Sequence, residues 1–202
     1  RAKMFTKKQF SEFFVTFFYI GKIKYCPGTF GSLAAFPLCY TIMYFVVDNK
    51  LIIPFANLTL NEAQLVSVVI IASAICLLLL ILGTYFTKIY LNYTDSKDPK
   101  EVVIDEVVGQ LLTVILVFFS AVFVNESNVI KHLSTLKVSI ILLFILPFCL
   151  FRLFDILKPW PINWLDKNIK GSLGVMVDDL AAAIFAAVTQ YAIVFVLIDK
   201  TY

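Results

Sequence analysis

An all-α polytopic membrane protein, with about five transmembrane helices behind an N-terminal amphipathic helix in the membrane interface, is the fold class this sequence predicts. Three observations carry that expectation. Hydrophobic residues make up 60% of the chain and charged ones 15%, with a mean hydropathy of +0.90; a soluble domain is usually about 45–50% apolar. Uncharged runs recur at close to the length of about 20 residues that a bilayer core requires. Lysine and arginine gather in three of the intervening segments, the asymmetry that orients spanning helices. A chain of 202 residues suits one such domain, 1–202, rather than two folding units.

The amphipathic helix is read from Phe10, Phe13, Phe14, Phe17 and Phe18, whose i, i+3, i+4, i+7, i+8 spacing puts them on one helical face. Gln9, Ser11, Glu12 and Thr16 take the other face, and the run is too short to span, as suits a helix lying in the interface. After the breakers Pro27 and Gly28, Thr29 is placed to cap a helix beginning near Phe30. The uncharged run from Thr29 to Val47 is the first expected span. Asp48 to Glu62 reads as a loop, and Ala63 to Thr87 as the second span.

Lys88 to Glu106 is polar and turn-rich, and Val107 to Asn125 is the third uncharged run. The fourth, Val138 to Phe151, contains Pro147. It spans only if it continues through Arg152 to Phe154, with the guanidinium reaching toward the head groups. Leu180 to Ile198 is the fifth. Five passes put residues 1–28, 88–106 and 152–179 on one side, which then holds thirteen of the 17 Lys and Arg residues. The positive-inside rule places that side in the cytoplasm.

The net charge of +3 is small, and no basic block interleaved with aromatics points to nucleic acid; the expected partner is lipid. Cys39, Cys76 and Cys149 sit in apolar runs, and no Cys or His spacing reads as a zinc site. No cleavage site of a removable signal peptide follows the first apolar run. The composition carries no signal for an oligomeric state.

The chemistry concentrates between Phe151 and Asp179, a polar stretch between two apolar runs. Three carboxylate groups, Asp105-Glu106, Asp155 and Asp178-Asp179, each fall within a turn of an expected span. There an ionised acid costs several kcal/mol unless paired, wet or metal-bound. A shared Mg2+ would relieve all three, since a hard cation takes oxygen ligands and keeps positions for water and phosphate. The plainer alternative is that Asp178-Asp179 cap the fifth helix and Asp105-Glu106 favour the positive end of the third. Arg152, Asp155 and Lys158 are spaced by three and would lie along one helical face, either as a salt-bridge ladder or as cations for a phosphate. Gly28 to Ser32 offers backbone amides and the Thr29 and Ser32 hydroxyls as a phosphate cradle at a helix start. Trp160 and Trp164 suit an interfacial aromatic belt.

The only histidine, His132, falls on the far side of the membrane in this topology, which disfavours a histidine nucleophile or acid. No thiol-phosphatase loop, Asp-x-Asp nucleophile pair or Walker loop is present. What remains is metal-assisted attack by water, or by a carboxylate, on a phosphate monoester. A transporter or channel, with acids lining a pathway inside the spans, and a non-catalytic scaffold are the rival classes.

At PGTFGS (27–32), IDEVVG (104–109), FRLFDILKPWP (151–161) and GVMVDD (174–179), the chain resembles the phosphatidylglycerophosphatase A family, a likeness running from Gly21 to Ala187. It implies a magnesium-dependent lipid phosphatase of the bacterial inner membrane that converts phosphatidylglycerophosphate to phosphatidylglycerol. Its site would face the cytoplasm. It further implies functional roles for Asp105, Glu106, Arg152, Asp155, Lys158, Asp178 and Asp179. On that expectation Asp105, Glu106, Asp155 and Asp178 hold the metal, Asp179 is the base, Arg152 and Lys158 bind the phosphate, and Thr29 and Ser32 orient it. Lys24, Ser172 and Ala183 depart from the family's proline, glycine and glycine; these changes touch loop geometry and close packing more than charge. Another phosphomonoester lipid as substrate stays open.

Overall fold

The computed structural model describes residues 6–53, 60–96, 99–123 and 141–199, and among them it is all helical. In chain order the helices are α1 (Lys7–Val15), a short 3-10 turn (Ile20–Lys22), α2 (Pro27–Asp48), α3 (Leu60–Leu91) and α4 (Ile104–Phe123). A π-helical turn (Ile141–Ile145) then runs into α5 (Leu146–Leu157), followed by α6 (Ile162–Asn168) and α7 (Ser172–Asp199).

Helix α1 opens with a capping box in which Thr6 and Gln9 satisfy each other's backbone donors. It stops at Val15 rather than carrying the aromatic stripe to Phe18. Phe17, Phe18 and Tyr19 all take left-handed backbone conformations, and the turn is held by the buried Thr16, whose hydroxyl accepts from the Tyr19 amide at 3.1 Å. The Val103 amide donates to the Val15 carbonyl at 3.0 Å, tying this corner to the start of α4. Phe10 meets the Phe86 ring of α3 edge-on at 5.1 Å between centroids and Phe14 meets it tilted at 4.8 Å, so part of the α1 apolar face packs on protein.

The other boundaries also shift. Pro27 occupies the first turn of α2 and Cys26 is the N-cap, which places Thr29 inside the helix instead of at its cap; the fixed φ of proline suits a first-turn position. Helix α4 starts at Ile104, so Asp105 and Glu106 form its first turn, where the helix dipole favours negative charge. Helix α5 continues beyond Arg152 to Leu157 and ends on Lys158 in the left-handed region (φ 42), ahead of a proline that disfavours helical geometry at the preceding residue. Helix α7 begins eight residues before the expected span. Asp178 and Asp179 therefore lie in its second turn and do not cap it.

Three described helices are long and apolar enough to cross a membrane: Pro27–Asp48, Ala63–Leu91 and Ser172–Val196. Five are not shown. The third and fourth expected runs extend into residues 124–140, and His132 lies there too, outside the described residues. Apolar side chains crowd the outer faces of the three long helices, among them Tyr44, Phe45, Leu77, Ile81, Val188 and Phe195, more than a water-facing surface ordinarily carries.

Helix α4 is the centre of the bundle, touching α2, α3, α5 and α7. Val107, Val108 and Leu111 are fully buried in one cluster with Ala35, Ile42 and Met176. A second cluster joins Leu150 and Phe151 of α5 and Ile162 of α6 to Ala182, Ala183 and Ala186 of α7. Small residues let the α5 and α7 backbones approach closely. Gly109 does the same for α4, because a Cβ there would sit 2.7 Å from the Phe151 ring and 3.2 Å from the Asp179 Cβ.

Candidate active site

The starts of α2, α4 and α7, the end of α3 and the end of α5 meet at one end of the bundle around an open cleft of about 870 Å³. Described residues from each of the three segments expected on one side, 1–28, 88–106 and 152–179, therefore meet in space. Gly28, Thr29, Asp105, Glu106, Arg152, Asp155, Lys158, Asp178 and Asp179 all line this cleft. Ser32 does not. Its buried hydroxyl donates to the Gly28 carbonyl at 3.0 Å and accepts from Arg152 Nη1 at 3.4 Å, so it touches the guanidinium from behind. Trp160, 81% exposed, and Trp164 also lie off the cleft.

Charge at the floor is unbalanced, with five carboxylates against two cations. Arg152 Nη1 pairs with Asp155 at 2.5 Å, one turn away on α5, and stands 4.0 Å from Glu106. Lys158 leaves the end of α5 and crosses to Asp178 of α7 at 2.5 Å and Asp166 of α6 at 3.2 Å. The expected ladder of Arg152, Asp155 and Lys158 is thus broken at Lys158, because the left-handed cap turns its side chain toward α6 and α7. Burial disfavours the Lys158 ammonium, but its bonds to Asp178 and Asp166 outweigh that and raise its pKa above the usual lysine value.

Once those two pairs are formed, Asp105 and Asp179 have no ion pair among the described residues, and Glu106 keeps only the longer 4.0 Å approach to Arg152. These same three place one carboxylate oxygen each within 4.8 Å of one another. Asp105 Oδ1, Glu106 Oε2, Asp178 Oδ1 and Asp179 Oδ2 are buried with no hydrogen-bond partner. Burial raises the Asp105 carboxyl well above its ordinary range, with the charges of Glu106 and Asp179 adding to it. Burial also raises Glu106, partly offset by Asp105 and Arg152. Orphaned buried oxygens of three acids fit a hard divalent cation, which takes oxygen ligands and relieves their mutual repulsion.

The residue sets expected from sequence are regrouped accordingly. Asp179 joins Asp105 and Glu106, while Asp155 and Asp178 are occupied by Arg152 and Lys158; Asp178 Oδ1 alone of that pair is left over. The α7 acids lie within a helix long enough to span, so acids are present inside a candidate span after all, at its cleft end.

Three further contributions escape a residue-by-residue sequence reading. Asp166 holds Lys158; its only signal is a place in the polar run after Trp164. Gly28 allows α2 to close on α4, since a Cβ there would fall 2.0 Å from Glu106 Oε1. Gly171, at φ +75, makes the turn into α7 that glycine adopts without cost.

Among the described residues, helices packed around an acid-rich cleft with two fixed cations make an arrangement suited to phosphoryl chemistry. Comparison with known sequences agrees: the family model for phosphatidylglycerophosphatase A matches residues 13–194. The chain belongs to the phosphatidylglycerophosphatase A family, and so to the phosphatase enzymes. It is 29% identical to phosphatidylglycerophosphatase A of Escherichia coli K12 over 83% of this chain and 73% of that one. With the protein of the same description from Haemophilus influenzae Rd it shares 32% identity over 86% and 82%. A Bacteroides thetaiotaomicron protein provisionally named a phosphatidylinositol-3-phosphatase is 28% identical over 80% and 79%. No solved structure matches this chain.

Proposed function

We propose that this protein is a magnesium-dependent phosphatase of the bacterial inner membrane that removes the terminal phosphate of phosphatidylglycerophosphate to give phosphatidylglycerol, working from the cytoplasmic side. The names of its relatives support the substrate, and the apolar outer helices support a membrane setting. The observation that supports the metal is the meeting of Asp105, Glu106 and Asp179, one buried and two half-buried acids whose only cation contact among the described residues is the 4.0 Å approach of Arg152 to Glu106.

In this reading Asp105, Glu106 and Asp179 would hold Mg2+, with Asp178 Oδ1 as a further oxygen at the same floor. The ion, when bound, supplies charge stabilisation at the phosphoryl oxygens and a more acidic water. Arg152 and Lys158 orient the phosphate and offset the charge that grows on its oxygens. Asp155 and Ser32 hold the guanidinium in place, and Asp166 does the same for the Lys158 ammonium. Asp179 would take the proton of the attacking water on its other carboxylate oxygen, Oδ1, leaving Oδ2 for the ion. The water oxygen bonds to phosphorus as the bond to the glycerol oxygen breaks, and that oxygen gains a proton from solvent at the cleft mouth. Thr29, on the cleft wall at the start of α2, steers the phosphate.

The test is phosphate release from phosphatidylglycerophosphate in detergent micelles by the purified full chain, with and without magnesium. Turnover that needs magnesium and is abolished in Asp105→Asn and Asp179→Asn, both still folded, is the expected result. Full activity in either variant, or in chelator, would overturn the assignment. The Bacteroides relative's description favours a second reading, a different phosphomonoester lipid; the same assay with a phosphoinositide decides between them.

A further inference from the structure

We infer that the mouth of the cleft is a second, outer anion site, formed by Lys100, Lys167 and Lys170, for the second phosphate of a lipid whose head group carries two. This rests on the phosphatase reading and extends it to the basis of substrate choice.

The cleft is zoned by charge. At its floor both cations are held by acids: Arg152 by Asp155, and Lys158 by Asp178 and Asp166. Lys100, Lys167 and Lys170 line the same cleft, are exposed, and have no ion pair among the described residues. Among the described residues the acids that share the mouth are Asp95 and Asp166, and Asp166 is already bonded to Lys158. The mouth is therefore net positive above a net negative floor.

The three lysines come from separate places. Lys100 lies in the segment before α4, which the Tyr90 hydroxyl anchors to α3 by donating to Glu101 at 2.9 Å. Lys167 is in the last turn of α6 and Lys170 in the turn that Gly171 closes. Their convergence on one opening is a product of the fold.

A head group with a single phosphate, seated at the floor, leaves these cations unused. A head group with a terminal phosphomonoester, a glycerol bridge and then a phosphodiester fills both zones at once. The monoester goes down to the acids and their ion, and the diester stays at the lysines, on the side from which the acyl chains extend. Cations that merely drew the protein to an anionic surface would act on every lipid alike; cations that read a second phosphate act only on ligands that have one.

The experiment uses the full chain in neutral detergent with magnesium and compares two soluble probes, glycerol 1,3-bisphosphate and glycerol 3-phosphate, by ligand-dependent thermal shift. The wild type should bind the bisphosphate about tenfold more tightly, as a few exposed charge contacts imply, and the advantage should shrink at high salt. The triple variant K100A/K167A/K170A should lose that preference while keeping its ligand-free melting temperature and its affinity for glycerol 3-phosphate. Equal loss for both probes, or no loss for either, would overturn the outer site. Phosphate release from phosphatidylglycerophosphate by the wild type is scored separately. Failure there with the bisphosphate preference intact removes the proposed substrate; turnover with no preference removes the outer site alone.

Discussion

Replacing Gly28 by alanine should disable the site while leaving the fold nearly intact, and the structure gives the size of both effects. The new Cβ would lie 2.0 Å from Glu106 Oε1 and 3.3 Å from Arg152 Nη1. Ordinary contact begins at 3.4 Å, so the carboxylate must retreat by about 1.4 Å. It is the far end of a flexible side chain, and an off-rotamer shift of that kind costs on the order of 0.5–1.5 kcal/mol. Its displacement takes one oxygen out of the group formed with Asp105 and Asp179. Misplacing a catalytic contact by about 1 Å is worth roughly a hundredfold in rate. The expected outcome is kcat lowered about a hundredfold with a melting temperature within a few degrees of wild type, measured by phosphate release and thermal unfolding in detergent. Normal activity would show that Glu106 is not held where the chemistry needs it, and wholesale unfolding would show that α2 and α4 cannot adjust as described.

Gly109→Ala should behave in the opposite sense, because its Cβ meets the fully buried Phe151 ring at 2.7 Å; overpacking there should cost about 1–3 kcal/mol, read as a lowered melting temperature. Lys158→Met leaves Asp178 buried beside the other acids and should destabilise by about 1–3 kcal/mol, less than for a fully buried pair because Lys158 is partly exposed. Adding Asp178→Asn should recover part of that loss; additive losses in the double variant would deny the pairing. The raised Asp105 carboxyl means that the folded chain binds a proton the unfolded chain has already released. Without a cation, stability should therefore fall as pH rises from the ordinary carboxylate range through the raised value. Magnesium should add stability that grows over the same interval. A magnesium increment in melting temperature that does not change with pH would contradict this.

Much of the site was legible because its parts are local. Pro27-Gly28, the acid pair before an apolar run, Lys158 ahead of Pro159, and the doublet at 178–179 are each a few residues long. Each also carries its own physical signal: a helix break, an acid at a helix start, or a charge beside hydrocarbon. Arg152 and Asp155, three apart on one helix, do pair as spacing allows. A hydroxyl near glycines suits phosphate, which makes Ser32 a substrate-facing residue by pattern, yet its helical position turns it inward against Arg152. The aromatic stripe predicted α1 and also misled on its end. Periodicity cannot register that Thr16 and the Val103 amide stop the helix at Val15.

Composition and local pattern alone determined that the chain is helical and apolar, and they singled out the short polar stretches whose acids and cations the fold brings to one cleft. Those are properties of short windows, in which hydrophobic period and helix breaking act between near neighbours. Only the tertiary structure decided how the charges divide. Lys158 reaches Asp178 across 20 positions and Arg152 reaches Ser32 across 120, and Asp105, Glu106 and Asp179 are brought together by the packing of α4 against α7. Ion pairing depends on distance through space. No spacing along the chain could show which carboxylates would find a close cation and which would be gathered into the cluster of Asp105, Glu106 and Asp179.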